Sequence, residues 1–323
     1  MRLRDVGERR LISAVKRSFP ARPAGVVLGI GDDAAVVRGP ARLLITHDLL
    51  VEDVDFRAAL FPPRLLGRKA LNVNLSDIAA MGGRPRHVVL GLALPGRTGR
   101  AWLDAFLAGF REAARRAGAA LVGGDFSAAA RTMIAVTVTG EARRFVTRRG
   151  ARPGDRVFVS GTLGDAAMGL RLLGRRGAAG RGRPSGRLLR AFLDPAPRLE
   201  LGALLARRGL ASAMIDLSDG LAVDLSHIAE ESGAGAEVDL AAIPLSKELR
   251  RASSRPLDLA LHGGEDFELL FTVRPRNLPR LRALGKRFPV TEIGRIVPGR
   301  RLLAVGPDGA KRPLAVKGYE HFR

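Results

Sequence analysis

The sequence predicts an α/β protein with two domains, and three observations support this prediction. The chain has 323 residues, more than a single core usually holds, and this length corresponds to about two domains. Apolar spacings typical of strands and of helices follow one another along the chain. The second half echoes the strand-and-helix order of the first, and residues 148–155, with Gly and Pro, separate the halves. We therefore predict domains at 1–147 and 148–323.

In the first half, helical spacing of apolar residues alternates with short apolar runs that predict strands. Pro62-Pro63 predicts the start of a helix, and Gly82-Gly83 its end. The expected helices are 5–18, 64–81 and 100–117, and the expected strands are 26–30, 34–37, 43–46, 88–94 and 132–139.

The second half continues the pattern. Its expected strands are 157–160, 213–217, 236–240, 267–273, 290–297 and 301–305, and its helices are 164–173, 187–193, 197–207 and 221–231. Residues 174–187 are rich in Gly, Arg and Pro without an apolar period, which predicts a mobile surface loop. Within helix 221–231 we expect Asp224 on an exposed face.

The composition excludes several classes of protein. Zero cysteines exclude disulfides, thiol catalysis and cysteine-ligated metals. No apolar stretch approaches the roughly 20 residues that a membrane helix needs. The first residues lack the apolar core of a signal peptide, so the expected location is cytoplasmic.

The net charge of +22 raises the alternative of a nucleic-acid-binding protein. The basic excess is almost all Arg and is spread over the whole chain. One Trp and one Tyr leave few aromatic platforms for stacked bases. We favour a solvated basic surface, and we keep nucleic-acid binding and steering of anionic substrates as alternatives.

A short acidic stretch, Gly29–Val37, places two adjacent aspartates between glycines and an apolar run. Similar Gly, Asp and Ser clusters recur at Asp48, Asp77, 123–125, 216–220 and 263–266. Several carboxylates that converge need a cation, and oxygen ligands without Cys or paired His favour Mg²⁺. Glycine turns offer N–H donors to phosphate. The pattern therefore indicates phosphoryl transfer from a nucleotide, although the common nucleotide-binding motifs are absent.

Five segments carry a resemblance to one family: Gly29–Val37, Lys69–Gly82, Ile215–Gly220, Gly263–Glu268 and Lys317–Phe322. Together they resemble thiamine-monophosphate kinases, of the superfamily typified by aminoimidazole ribonucleotide synthetase. The resemblance covers nearly the whole chain. It implies an N-terminal α/β domain that pairs in a homodimer, a C-terminal α+β domain, and Mg²⁺-dependent phosphorylation of thiamine monophosphate by ATP. Another ATP-using enzyme of the superfamily is the closest alternative.

The resemblance also implies site residues, matched position by position. The metal ligands would be Asp33, Thr46, His47, Asp48, Asp77, Asp125, Asp216 and Asp219. ATP would contact Gly124, Asp125, Arg148 and Ser218, and the thiamine substrate would contact Asp55, Glu265 and Tyr319. No general base is expected, because the acceptor is an ionised phosphate. The family usually has Ser or Thr at His47. If the family's metal contact is through the backbone carbonyl, as we expect, little is lost at His47, and if it is through the hydroxyl, one ligand is lost. At Asp55 the family more often has His.

Overall fold

A computed structural model describes residues 26–28, 32–38, 42–176 and 186–319. The predicted helix at 5–18 lies outside the described residues, as do most of the predicted loop 174–187 and the last four residues of the tail. None of the described helices is both long and apolar enough to cross a membrane.

The first half forms a six-stranded sheet in the order β1-β2-β3-β6-β4-β5. Neighbouring strands are antiparallel except β4 and β5, which are parallel. The strands are β1 (Val26–Leu28), β2 (Ala35–Val37), β3 (Arg42–Val51), β4 (Arg84–Leu94), β5 (Ala120–Ala128) and β6 (Met133–Ala142). The strand β5 therefore forms one edge of the sheet.

Two helices, α1 (Pro63–Ala80) and α2 (Arg100–Ala117), pack against each other, and α1 also contacts β3, β4 and β6. Alternate residues of β6, including Ile134, Val136 and Val138, are buried in this core, as their period-2 spacing predicts. Exposed apolar side chains remain elsewhere on the sheet, including Leu49, Val89 and Met133.

The second half forms a seven-stranded sheet in the order β13-β12-β9-β11-β7-β10-β8. Its strands are β7 (Arg156–Ser160), β8 (Ala211–Asp216), β9 (Gly235–Asp239), β10 (Leu269–Val273), β11 (Val290–Val297), β12 (Leu302–Val305) and β13 (Lys311–Pro313). Only β9 and β12 are parallel neighbours. The separate sheets confirm the predicted α/β class, while the domain boundary at 147/148 stays a prediction.

The helices of the second half are α3 (Asp165–Arg176), α4 (Arg187–Leu193), α5 (Leu199–Arg207), α6 (Leu221–Ser232), α7 (Lys247–Ala252), α8 (Pro256–His262) and α9 (Leu278–Arg282). Short 3₁₀ turns span Leu240–Ala242, Pro275–Asn277 and Gly285–Arg287. The helices α7, α8 and α9, of five to seven residues, were not among those predicted from the sequence.

Residues 123–125, for which no strand was predicted, lie inside β5 and pair with β4 through the backbone. One local prediction was wrong. Asp224 is not on an exposed face, because only 1% of its surface is accessible. It occupies the same face of α6 as Leu221 and Ile228, which are also buried.

The helix α1 connects the two halves. Its C-terminal residues Ala79 and Ala80 belong to a core cluster with Phe158, Met214 and Phe271 of the second sheet. Gly202 of α5 packs so closely that an added Cβ would lie 2.0 Å from the Ala79 carbonyl oxygen. The helix is therefore held from both sides and fixes the side chains that it carries.

Candidate metal and phosphate-transfer site

Three aspartates from three separate elements meet where α1 contacts both sheets. Asp33 lies in the bend before β2, Asp77 is near the end of α1, and Asp216 is the last residue of β8. Each contributes one carboxylate oxygen to a group in which all the oxygens lie within 4.8 Å of one another. The structure therefore brings together three of the eight predicted metal ligands.

The group is electrostatically unfavourable without a cation. Burial raises the pKa of Asp77 well above its usual range, and Asp48, Asp216 and Asp33 raise it further. Burial, followed by the charge of Asp33, raises the pKa of Asp216 in the same way. Desolvation and like charges both oppose ionisation, so a divalent cation at this place would stabilise the carboxylates.

One buried atom points to the same conclusion. Asp216 Oδ2 is inaccessible to solvent and has no hydrogen-bond partner among the described residues. Buried polar atoms are nearly always paired in folded proteins. An unpaired carboxylate oxygen beside two further carboxylates suits a hard cation such as Mg²⁺, which prefers oxygen ligands.

Arg148 supplies the positive charge that this group faces. Its guanidinium donates to both oxygens of Asp33, from Nη2 at 2.8 Å and from Nε at 3.2 Å. Its backbone N–H donates to Asp32 Oδ2 at 3.2 Å. Burial and the charge of Asp33 raise the pKa of Asp32 to about 7. The chain thus places a predicted nucleotide-binding arginine directly against a predicted metal ligand.

Alternation along β3 divides the next three predicted ligands between the faces of the sheet. Thr46 is buried and donates a hydrogen bond to Asp77 Oδ2. The Asp48 carboxylate lies close enough to Asp77 to raise the pKa of that residue. The exposed ring of His47 instead contacts Thr137 Oγ1, with its Nδ1 at 2.8 Å. With the ring engaged at Thr137, a metal contact at His47 would involve its backbone, which stays a prediction.

Asp219 belongs to a second group, with Asp224 and His227 of α6, whose ligand atoms also lie within 4.8 Å of one another. Asp224 Oδ2 accepts the backbone N–H groups of Asp219 at 3.2 Å and of Gly220 at 3.1 Å. The buried Asp224 thus orders the turn that carries Asp219. Its apolar neighbours at i−3 and i+4, Leu221 and Ile228, were the signal in the sequence that it would be buried.

The predicted substrate contacts face this region from three segments. Asp55 accepts the Val51 N–H at 2.8 Å, and Glu265 lies in the loop 263–268. Asp55 and Glu265 both act on Asp48, whose pKa rises to about 6, mainly through burial. The backbone N–H of Tyr319 donates to the Asp219 carbonyl at 3.3 Å, which fixes the tail beside the second acidic group.

Lys69 lies beside this region but was not among the site residues predicted from the sequence. It is 97% buried on α1 and pairs with Glu265. The signal was present, because a lysine among the apolar residues of a buried helix needs a partner.

Among the predicted nucleotide contacts, Ser218 accepts the Glu265 N–H through its carbonyl at 2.8 Å and so lies at the centre of the region. Gly124 and Asp125 do not lie in this region. Both are exposed on the edge strand β5, and β6 and β4 separate that strand from β3. Asp125 is thus about 14 Å, or three strand spacings, from the β3 ligands within one chain, and it joins neither acidic group of the described residues.

Comparison with known proteins agrees with the two-sheet fold. Residues 31–142 match the model of the AIR synthase related protein, N-terminal domain, and residues 152–305 match that of the C-terminal domain. The chain is therefore a member of the AIR synthase related proteins.

Individual relatives define the family more closely. The chain is 36% identical to the thiamine-monophosphate kinase of Aquifex aeolicus, over the full length of both. It is 39% identical to that of Escherichia coli K12, over 98% of each. The chain belongs to the thiamine-monophosphate kinase family.

Solved structures support the assignment. The structure of AaThiL complexed with AMPPCP and TMP superposes with a TM-score of 0.87 at 34% identity, covering 99% of both chains. The thiamine-monophosphate kinase of Stenotrophomonas maltophilia gives a TM-score of 0.76 at 37% identity, covering 93% of this chain and 96% of that one. The hydrogenase maturation protein HypE in complex with ATP, at 24% identity, shares the fold.

Proposed function

We propose that this protein transfers the γ-phosphate of ATP to thiamine monophosphate, which yields thiamine diphosphate and ADP. The observation that carries the proposal is the group formed by Asp33, Asp77 and Asp216, with a buried, unpaired oxygen on Asp216. A site of this kind takes divalent cations, and in phosphoryl transfer such cations neutralise the phosphates of both substrates. The family relationship supplies the identity of the acceptor.

In this proposal the resident cation is Mg²⁺. Asp33, Asp77 and Asp216 would hold it, with Thr46 orienting Asp77 and with Asp48 and the backbone of His47 nearby. Asp219 would bind a further ion, together with Asp224 and His227. When bound, Mg²⁺ would screen the repulsion between the two anionic substrates.

The residues of the chain would position the two phosphates for direct transfer. Arg148 and Ser218 would contact ATP on one side. Asp55, Glu265 and Tyr319 would contact the thiamine moiety on the other. A phosphate oxygen of thiamine monophosphate forms the new bond to the γ-phosphorus, and the bond to the ADP oxygen breaks. The attacking oxygen is already ionised, so no residue needs to accept a proton.

We further propose that the protein works as a homodimer. The strand β2 pairs with β3 only at Leu43–Ile45, which leaves 46–51 of β3 without a partner on that side among the described strands. The outer edge of β5 likewise has no partner among the described strands, and Phe126 of β5 is 61% exposed. Exposed apolar edge strands favour pairing with another chain.

This arrangement also accounts for Asp125. If β5 of one subunit pairs beside β3 of the other, Asp125 of the partner subunit would come close to Asp48, with Gly124 next to it. Each site would then combine residues of two chains. For the location of the enzyme we propose the cytoplasm, which contains both ATP and Mg²⁺.

The test is a coupled ADP-release assay with purified protein, ATP and Mg²⁺. We expect turnover with thiamine monophosphate, none with free thiamine or aminoimidazole-pathway substrates, and loss of turnover with a chelator. Thiamine diphosphate should be identified as the product. Turnover only with an aminoimidazole substrate would favour another enzyme of the superfamily. No turnover, together with salt-sensitive DNA binding that survives Asp77→Asn, would favour the nucleic-acid alternative.

A further inference from the structure

The loop 263–268 carries three acidic side chains, and each is held differently. Asp266 accepts the backbone N–H groups of Gly164 at 2.7 Å and of Ala166 at 3.2 Å, at the start of α3. Glu268 is buried and forms a two-point ion pair with Arg198. Asp266 and Glu268 therefore anchor the loop to the second half of the chain.

Glu265 differs because it faces the first half. It pairs with the Lys69 ammonium through Oε2, while 36% of its side chain stays exposed. The carboxylate thus contacts Lys69 on its buried side and remains accessible on its solvent side. Its charge also acts on Asp48, which places it at the border of the acidic region.

The surroundings of Lys69 fix its ammonium group. Nζ donates to the Phe192 carbonyl oxygen at 2.9 Å and lies 3.7 Å from the centroid of the Phe192 ring. The centroid of the Phe61 ring lies 5.6 Å from the same Nζ atom. A cation between two aromatic rings and a carbonyl has little freedom to move, so it can hold Glu265 in one direction.

The main chain at Glu265 is constrained as well. Glu265 has φ 74°, in the left-handed region that non-glycine residues seldom occupy. Its N–H is bound to the Ser218 carbonyl at 2.8 Å, which fixes the main chain. Its side chain contacts the Lys69 ammonium.

We propose that Lys69 is a positioning residue that sets the Glu265 carboxylate for contact with the thiamine moiety of the substrate. This inference rests on the proposed function. It predicts that Lys69 governs the affinity for the phosphate acceptor and not for ATP, whose expected contacts, Arg148 and Ser218, do not involve the ammonium.

Other residues of α1 besides Lys69 also connect the two halves of the chain here. Arg68, its neighbour on α1, pairs with Asp194 at 3.0 Å. Asn72 donates to the Pro195 carbonyl at 2.8 Å. These contacts hold the same segment, residues 192–195 at the end of α4, without touching Glu265, so Arg68→Met is a matched control for the loss of a cation from α1.

The experiment is a double-mutant cycle of Lys69→Met and Glu265→Gln, with steady-state kinetics for both substrates and thermal unfolding. For Lys69→Met we expect KM for thiamine monophosphate to rise about tenfold or more, as for the loss of a charged hydrogen bond. KM for ATP should stay within about twofold. In the Glu265→Gln background, Lys69→Met should add little, because the group that it positions is already changed.

Arg68→Met should alter thermal stability and leave both KM values near those of the wild type. Equal factors for Lys69→Met in both backgrounds, or an unchanged KM for thiamine monophosphate, would show a purely structural role and overturn the inference. If Lys69→Met does not fold, Lys69→Gln, whose amide still donates to Phe192, replaces it. A wild type inactive on thiamine monophosphate would instead overturn the proposed function, and the inference with it.

Discussion

Thr46 on β3 donates a hydrogen bond to Asp77 on α1, so a strand and a helix of the first half fix one carboxylate between them. The charged groups that raise the pKa of that carboxylate, Asp48, Asp216 and Asp33, are all acidic. Asp77 is thus held in place by one neutral donor, in surroundings that disfavour its charge. A bound cation would favour its ionisation, which makes it the most informative residue to change.

We expect Asp77→Asn to abolish Mg²⁺-dependent turnover, with a loss of about 100-fold or more, because a metal ligand and one negative charge are removed. Without metal, the variant should unfold at a temperature equal to or above that of the wild type, since like-charge repulsion decreases. Turnover and thermal unfolding with and without Mg²⁺ measure both effects. The control is Asp104→Asn, at an exposed position paired with Arg100, which should leave both unchanged.

The stability of the metal-free protein should depend on pH. The pKa of Asp32 is about 7 and that of Asp48 about 6, both above the usual value of 3.8. The folded state therefore binds protons more tightly than the unfolded state, and this stabilisation is lost as pH rises through about 6 to 7. Melting temperatures in EDTA should fall over this range, and added Mg²⁺ should offset the fall. A melting temperature in EDTA that rises between pH 5 and 8 would contradict the raised pKa values of Asp32 and Asp48.

Mixing two inactive variants tests the shared site of the proposed dimer. Asp77→Asn and Asp125→Asn should each be inactive alone. If Asp125 acts across the interface, each mixed dimer contains one intact site, and equal mixing should restore roughly one quarter of the wild-type activity by statistics of random pairing. If both residues serve the same chain's site, mixing restores nothing. Phe126→Asp tests the interface itself. Size-exclusion chromatography of this variant should show monomers.

Gly202→Ala should destabilise the contact between α5 and α1. The added methyl group would lie 2.0 Å from the Ala79 carbonyl oxygen, so the helices must separate, at a cost of about 1–3 kcal/mol. Urea denaturation measures this loss. Gly174→Ala, also on a helix but with nothing within 4 Å of the added Cβ, should be neutral or slightly stabilising. Equal stability of the two variants would show that the helices adjust freely.

The long helices could be predicted from sequence because their apolar residues repeat along many turns. The predicted bounds 64–81 and 100–117 agree closely with Pro63–Ala80 and Arg100–Ala117. The strand β5 could not be predicted from sequence. It contains glycines and is exposed along its whole length, so its residues show no alternation of buried and exposed positions. Its ladder of backbone hydrogen bonds depends on β4, which no local pattern reveals.

The acidic group itself was predictable only in part. Asp33, Asp77 and Asp216 were identified through a resemblance, since nothing in their spacing shows that a bend, a helix and a strand end converge. Lys69 was missed for a related reason, because its partner Glu265 lies on a segment that only the fold brings near. Asp224 was missed although its contacts are local, since it accepts the backbone N–H groups of Asp219 and Gly220, five and four residues earlier.

The burial of α1 on both sides also limits how the chain can be divided. The second sheet relies on Ala79 and Ala80 to cover Phe158, Met214 and Phe271, so a fragment containing only residues 148–323 would expose these aromatic and aliphatic side chains to water. Residues of α1 thus contribute to the buried cores of both halves. The two halves are therefore not interchangeable modules: gene fusions or truncations that separate them should yield aggregating fragments, although each half has a complete sheet of its own.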